Sequence, residues 1–175
     1  MASQLRVDKI LPVDGAPTGG GGGIIQVVHS STATLMQQTT IDTDYDTNLS
    51  ATITPKFNTS KILIMVSQMC SIRSTVAGTF AMQLSLVRTP SGGSSVIIID
   101  GDNGATSMGN FTGRANTPTS YNSMTAMQPL HILDEPATTT ALTYKTTALL
   151  TTSNSTMKLQ EDGVKSFITL MEVSA

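Results

Sequence analysis

The sequence contains no tryptophan, few aromatic residues and few charged residues. Aromatic side chains make up 4% and charged side chains 13% of its 175 residues. Sugar and nucleic-acid platforms usually stack their ligand on exposed rings, and contact with a phosphate backbone needs clustered Lys and Arg. The ten basic residues are scattered singly and the net charge is −2. We therefore expect no nucleic-acid partner.

Long apolar runs are missing as well. No run approaches the ~18 apolar residues of a membrane span, so we expect no membrane insertion. Met1–Ile10 lacks the apolar stretch of a secretory signal, and none is expected there. The single cysteine, Cys70, cannot form an internal disulfide and ends the apolar run Ile62–Cys70. We expect it to be a small buried side chain rather than a nucleophile.

Catalytic side chains do not occur at catalytic spacings. His29 and His131 have no partner at metal or triad spacing, and no Gly-x-Ser-x-Gly elbow occurs. Asp134 and Glu135 are adjacent in an extended segment, so their side chains point to opposite faces and cannot flank one glycosidic bond. We therefore predict that the protein is not an enzyme and has no catalytic residues.

The acidic run Asp42–Asp46 resembles the start of a calcium-binding loop. An EF-hand would need glycine where Thr47 stands and glutamate where Ile53 stands. A looser cation site at this run, or at Asp100 and Asp102, remains open beside the alternative of acidic turns that face water. No ligand set is complete, so we predict neither a metal nor another cofactor.

What the sequence does contain is a series of short β-type segments. Serine and threonine reach roughly a quarter of the chain, and β-branched threonine favours sheet over helix. The segments recur every 10–15 residues, with no helical period between them, and we place them at residues 24–29, 32–41, 49–54, 60–70, 79–88, 96–99, 124–133, 141–150, 156–160 and 166–173. This pattern predicts an all-β fold, an antiparallel β-sandwich or jelly roll of about eight to ten strands with an extended N-terminal arm.

The chain divides at five consecutive glycines. We predict an arm at residues 1–18, a flexible linker at residues 19–23 and a β-sandwich head at residues 24–175. The alternative is a glycine run packed where chains approach closely at a symmetry axis. The arm has too few apolar residues for a core of its own, and we predict that it attaches to a larger assembly through Leu5, Val7, Ile10 and Leu11.

The last predicted strand is apolar on both faces. Phe167 and Met171 share one face, and Ile168 and Leu170 occupy the other. Such a strand is either central in its sheet or covered by a second chain. These four residues are therefore candidates for an oligomer interface, with an ordinary core as the alternative.

The longest loop region is predicted at residues 100–123, which are rich in Gly, Asn, Ser and Thr. Arg114 and Tyr121 form its only small polar platform. Because recognition concentrates in loops on rigid β scaffolds, we name these two residues as a candidate recognition loop.

Four segments resemble structural proteins of marine and cyanobacterial phages. The opening SQLRVDKILPVDG resembles the N-terminal segments of their tail-fibre proteins. Ile53–Val66 (ITPKFNTSKILIMV) resembles a strand pair of their β-sandwich heads, Asp134–Thr147 resembles a later stretch with the pattern D-x-P…T-Y-K, and Phe167–Val173 resembles the closing strand.

The resemblance implies a virion protein, commonly trimeric, with its N-terminus anchored to other tail, baseplate or capsid proteins. It implies no catalytic residue. We therefore expect a tail-fibre-like homotrimer located in the virion, whose head could meet a host surface receptor. The alternatives are a capsid decoration protein, then a glycan-binding module and, last, a hydrolase.

Overall fold

The computed structural model describes residues 23–100, 110–115 and 122–174, and these residues form two packed antiparallel sheets. The arm residues Leu5, Val7, Ile10 and Leu11 lie outside the described residues, as does Tyr121. The described strands are β1 (Ile24–Thr32), β2 (Met36–Gln38), β3 (Asp44–Ile53), β4 (Lys61–Ser74), β5 (Gly78–Pro90), β6 (Val96–Ile99), β7 (Asn110–Ala115), β8 (Asn122–Asp134), β9 (Leu142–Leu150), β10 (Ser155–Leu159) and β11 (Ser166–Val173). The predicted antiparallel β-sandwich is confirmed.

Strand β4 is the centre of the first sheet, which we call sheet A. One edge of β4 pairs with β8 from Ile62 to Ser74, and the other edge pairs first with β11 and then with β10. Strand β1 lies beyond β11, and β2 lies beyond β10. Sheet B has the order β3-β9-β5-β6, with β7 also paired to β5. Both the apolar segment at 60–70 and the two-faced last strand are therefore inner strands of sheet A, as their patterns indicated.

The core lies between the inner faces of the two sheets. Alternate residues along each strand point inward, as the period of a strand requires. In β5 the buried side chains Phe80, Met82, Leu84 and Leu86 follow this alternation. Each contributes roughly 1.5–3 kcal/mol relative to an exposed side chain. Cys70 is fully buried in the same core, and burial raises the pKa of its thiol.

A buried polar network crosses this core from sheet A to sheet B. Thr146 of β9 donates to the Gln68 carbonyl oxygen (3.0 Å), and the Gln68 amide donates to the Ser166 hydroxyl (3.1 Å). The Thr47 hydroxyl lies 2.5 Å from that of Thr146. Buried polar groups are tolerated when they are hydrogen-bonded. This network links strands β3 and β9 of sheet B to strands β4 and β11 of sheet A.

The predicted loop at residues 100–123 contains a strand that sequence reasoning missed. Strand β7 pairs with β5 from Gly78 to Gln83. A Cβ atom on Gly113 would overlap the Phe80 ring, so glycine at this position leaves the space that the ring occupies. Glycine normally weakens a strand prediction, but here it permits the close approach of a neighbouring ring.

Gly23, the last residue of the predicted linker, belongs structurally to the head. Its backbone N–H donates to the Ser174 hydroxyl (3.0 Å), and its carbonyl oxygen accepts from the Ser174 N–H (3.0 Å). These bonds continue the β1–β11 pairing by one residue. The segments assigned to residues 1–18 and 19–22 lie outside the described residues.

Candidate interaction face

The outer face of sheet A carries an apolar row across four neighbouring strands. The register places Val27 of β1 opposite Met171 of β11, Met171 opposite Leu63 of β4, and Leu63 opposite Leu133 of β8. Val27 and Leu133, at the two ends of the row, are 54% and 48% exposed. The side chains beside them in sequence, Val28 and Ile132, pack against the core instead. The row therefore faces away from the core.

Two further rows extend this surface along the strands. The Phe167 ring stacks on that of His29 with 5.9 Å between ring centroids, and His29 Nδ1 lies 3.0 Å from the Thr169 hydroxyl. We call the three rows together the sheet A face. Its twelve residues are Val27, Met171, Leu63 and Leu133; His29, Thr169, Met65 and His131; and Ser31, Phe167, Ser67 and Pro129.

Further along β4, the chain covers the outer face of sheet A itself. The 3₁₀ turn Glu161–Gly163 follows β10, and the backbone N–H of Glu161 donates to the Met69 sulfur (3.3 Å). Met69 is 4% exposed, whereas Met127, its register partner on β8, is 40% exposed. The turn therefore closes the surface over Met69 and ends before the sheet A face.

The Glu161 carboxylate holds this turn against the strands. It accepts from Arg73 of β4 (2.5 Å) and from Lys158 of β10 (2.7 Å). Burial alone would raise the pKa of Glu161, but hydrogen bonds from Lys158 and Ser71 and the charge of Arg73 outweigh it. The pKa therefore lies below its ordinary value, and the carboxylate stays ionised at neutral pH.

At the opposite end, the sheet A face is bordered by an ion pair and a shallow cavity. Lys61 and Glu135 lie 2.6 Å apart and neutralise each other. The cavity has a volume of about 250 Å³ and is lined by Asn58, Thr59, Ser60, Lys61, Glu135 and Ala137. The Ser60 hydroxyl is buried without a hydrogen-bond partner among the described residues. This border is polar but carries no net charge.

A partly buried ionic cluster joins β8, which carries Leu133, to sheet B. Arg88 of β5 donates to both carboxylate oxygens of Asp134 (2.8 and 2.7 Å). The Tyr144 hydroxyl of β9 also donates to Asp134 (2.7 Å). Burial first, and then this bond to a carboxylate, raise the pKa of Tyr144. Asp134 and Glu135 thus point to different partners, as expected for adjacent residues in an extended segment.

The structure divides the four predicted interface residues. Phe167 and Met171 belong to the sheet A face, but Ile168 and Leu170 are fully buried between the sheets. They are core residues, because their side of β11 faces sheet B. The prediction that Ile168 and Leu170 lie at an oligomer interface is therefore wrong.

Sequence reasoning missed the other apolar residues of the face, including Val27, Leu63 and Leu133. They come from three separate strands, and only the strand register brings them into one row.

Arg114, of the predicted recognition loop, is an exposed residue of β7 rather than of a loop.

The described residues include no group of three or more His, Cys, Asp or Glu that could hold a metal ion. In the acidic run, Asp46 pairs with Lys145 at 2.8 Å. Burial by itself raises the pKa of Asp46, but the hydrogen bonds from Lys145 and from the Asn48 N–H lower it by a larger amount, so the pKa lies below its ordinary value.

No described helix is long and apolar enough to cross a membrane.

Comparison with known proteins gave structural matches alone. No protein-family description matches the sequence, and no curated protein is significantly similar. A structure of infectious bursal disease virus Gt strain covers 99% of this chain at 12% identity and a TM-score of 0.37. A mutant VP2 protein of the same virus, in derived T=1 particles, covers 99% at 12% identity and a TM-score of 0.39. The chain spans 44% and 40% of the lengths of those two chains.

Proposed function

We propose that this chain is a structural rather than enzymatic protein of a bacteriophage virion, tail-fibre-like, with a homotrimeric β-sandwich head held by an N-terminal arm. The observation that carries the proposal is the sheet A face, an apolar surface over four strands that the described part of the chain leaves uncovered. Surfaces of this kind join subunits in symmetric assemblies. The phage-like segments at residues 3–15, 53–66, 134–147 and 167–173 support the same role.

In this proposal each part of the chain has a distinct task. Leu5, Val7, Ile10 and Leu11 of the arm bind another tail or baseplate protein. The heads associate as a homotrimer. Arg114 and Tyr121 are the residues offered to a host surface receptor.

Two measurements test the proposal. Sedimentation of the full chain at micromolar concentration should give three times the chain mass of 18.4 kDa. A monomer would contradict the homotrimer. Gold-labelled antibody against the C-terminus should then mark the tails of intact virions. Label spread over the shell would contradict a tail fibre in favour of capsid decoration, and unlabelled virions would contradict a virion protein altogether.

A further inference from the structure

We propose that the sheet A face is the surface through which copies of this chain associate. This inference rests on the oligomeric head of the proposed function and assigns a place to the contact. Within the described residues, the face is bounded on one side by the turn over Met69 and on the other by the Lys61–Glu135 pair.

The chemistry of the face selects an uncharged partner. None of its twelve residues is Asp, Glu, Lys or Arg, and Lys61 at its border is already neutralised by Glu135. A nucleic acid or an anionic lipid headgroup would find no cation to replace its counterions there. The other copies present the same largely apolar surface without Asp, Glu, Lys or Arg, so association removes apolar area from water on every copy and leaves none of those charges unpaired.

The backbone geometry favours a second sheet over an extended peptide. Around the three-fold axis of the proposed trimer, the sheet A face of each copy would meet the faces of the other two copies, with the backbone hydrogen bonds already made within each sheet. An extended peptide laid across Leu63 and Met65 would press its own N–H and C=O groups against apolar side chains, where they would stay unpaired. A sheet from another copy meets the face with side chains alone.

The area of the face suits a stable contact. Val27, Leu133 and Phe167 are 54%, 48% and 38% exposed, and His29, Ser31, Pro129 and His131 are exposed as well. On the order of several hundred Å² per copy is therefore available for burial, below but of the same order as the ~800 Å² that each partner contributes to a standard interface. A largely apolar patch of a few hundred Å² on a single chain is often a functional surface.

The test compares one exposed valine on the sheet A face with one exposed isoleucine elsewhere on the full chain. Val27 on the face and Ile97 on β6 of sheet B are both 54% exposed. Val27→Glu should reduce the sedimenting mass to that of a monomer at micromolar concentration, while Ile97→Glu should retain the mass of the unchanged chain. Circular dichroism melts verify that both variants fold. Unchanged mass for Val27→Glu, or dissociation by Ile97→Glu as well, would overturn the assignment.

The outcomes separate this inference from the proposed function. An unchanged chain that is already monomeric overturns both the oligomer and the face. If the chain is an oligomer and Val27→Glu leaves its mass unchanged, only the assignment of the contact to the sheet A face is contradicted. If Val27→Glu dissociates the oligomer but virions carry no label, the sheet A face is supported as the contact between copies and the virion role is contradicted. If instead the mass is unchanged but binding to phosphatidylcholine vesicles is lost in Val27→Glu, the face contacts lipid and the inference fails.

A measurement on the unchanged chain applies even if Val27→Glu fails to fold. Met65 and Met171 lie inside the face, so peroxide should oxidise them more slowly in the oligomer than after dilution to monomer. Cys70 and Met82, fully buried in the core, are the internal controls that should not change with dilution. Equal oxidation of Met65 and Met171 in both states would overturn the proposal.

Discussion

At the residue scale, adjacent carboxylates of this protein have very different environments. The Asp134 side chain is 11% exposed and has Arg88 and Tyr144 as partners, whereas Glu135 is 67% exposed and pairs with the half-exposed Lys61. Removing one partner of a buried pair leaves the other charge without compensation, but an exposed pair is screened by water.

Asp134→Ala should therefore lower the free energy of unfolding by about 1.5–3 kcal/mol, the range for hydrogen bonds to charged groups. Glu135→Ala, the matched control one residue further, should lower it by less than about 1 kcal/mol. Urea unfolding at neutral pH measures both. Similar losses from the two substitutions would show that the Arg88–Asp134–Tyr144 cluster does not stabilise the packing of β8 on sheet B.

The Glu161 carboxylate should make stability depend on pH. Its pKa is lower in the folded chain than its ordinary value because Lys158, Ser71 and Arg73 favour the ionised form. The unfolded chain therefore takes up the proton first as the pH falls, so the stabilisation is complete above the ordinary pKa and disappears as the pH drops through the folded one. Glu161→Gln should be less stable than the unchanged chain at neutral pH, with a deficit that shrinks in acid. Urea midpoints from neutral to acidic pH test this, and a deficit that is constant across the series would contradict it.

At the scale of elements, the sequence pattern predicted strands best where apolar alternation is strong. Residues 96–99 and 166–173 match β6 and β11 at both ends, and the segment at 79–88 falls inside β5. The segment at 32–41 was too long, since its own strand is only Met36–Gln38, while Thr32 ends β1 and Ile41 forms an isolated bridge to Leu150. Strand β3 begins five residues earlier than expected. In β3 a register shift lies between Asp46 and Ser50, where Asn48 has a φ of 61° and its N–H bonds to the Asp46 side chain. Such irregularities break the alternation that a pattern relies on.

Strand β7 was missed for a physical reason that can be tested. Gly113→Ala should destabilise the head by about 1–3 kcal/mol, because its methyl group would overlap the Phe80 ring and overpack the site. Phe80→Leu removes part of that ring, so Gly113→Ala should cost clearly less in the Phe80→Leu background. A double-mutant cycle by urea unfolding measures the coupling. Additive losses would mean that the Phe80 ring is not what requires glycine at position 113.

At the scale of the whole molecule, the fold class could be predicted and the sheet A face could not. Its first row joins residues 27, 63, 133 and 171, which are separated by long stretches of chain. Each strand alternates, but a shift of one residue in any register would turn its apolar residues to the other side. The two-faced pattern of β11 was the one visible signal, and it could not tell Phe167, on the outer face, from Ile168, in the core.

The final prediction concerns the arm, and it separates folding from attachment. Deleting residues 1–18 should leave the melting temperature and sedimenting mass of the head nearly unchanged, because the β1–β11 pairing is already closed at Gly23 and Ser174. Incorporation into virions should be lost. Leu5, Val7, Ile10 and Leu11 would each contribute roughly 1.5–3 kcal/mol when fully buried in a partner. Three arms on one trimer would bind more tightly still through their high effective concentration.

Immunoblots of purified virions, with the full chain as control, measure this incorporation. A substituted arm in which Leu5, Val7, Ile10 and Leu11 are all serine keeps the chain length and should fail in the same way, since attachment then depends on apolar burial rather than on the tether. If the truncated head occupies virions at the normal level, attachment belongs to the surface of the head. A head that binds without its arm would need a contact to other virion proteins besides the contact between copies, and the capsid-decoration role would then replace the tail-fibre role.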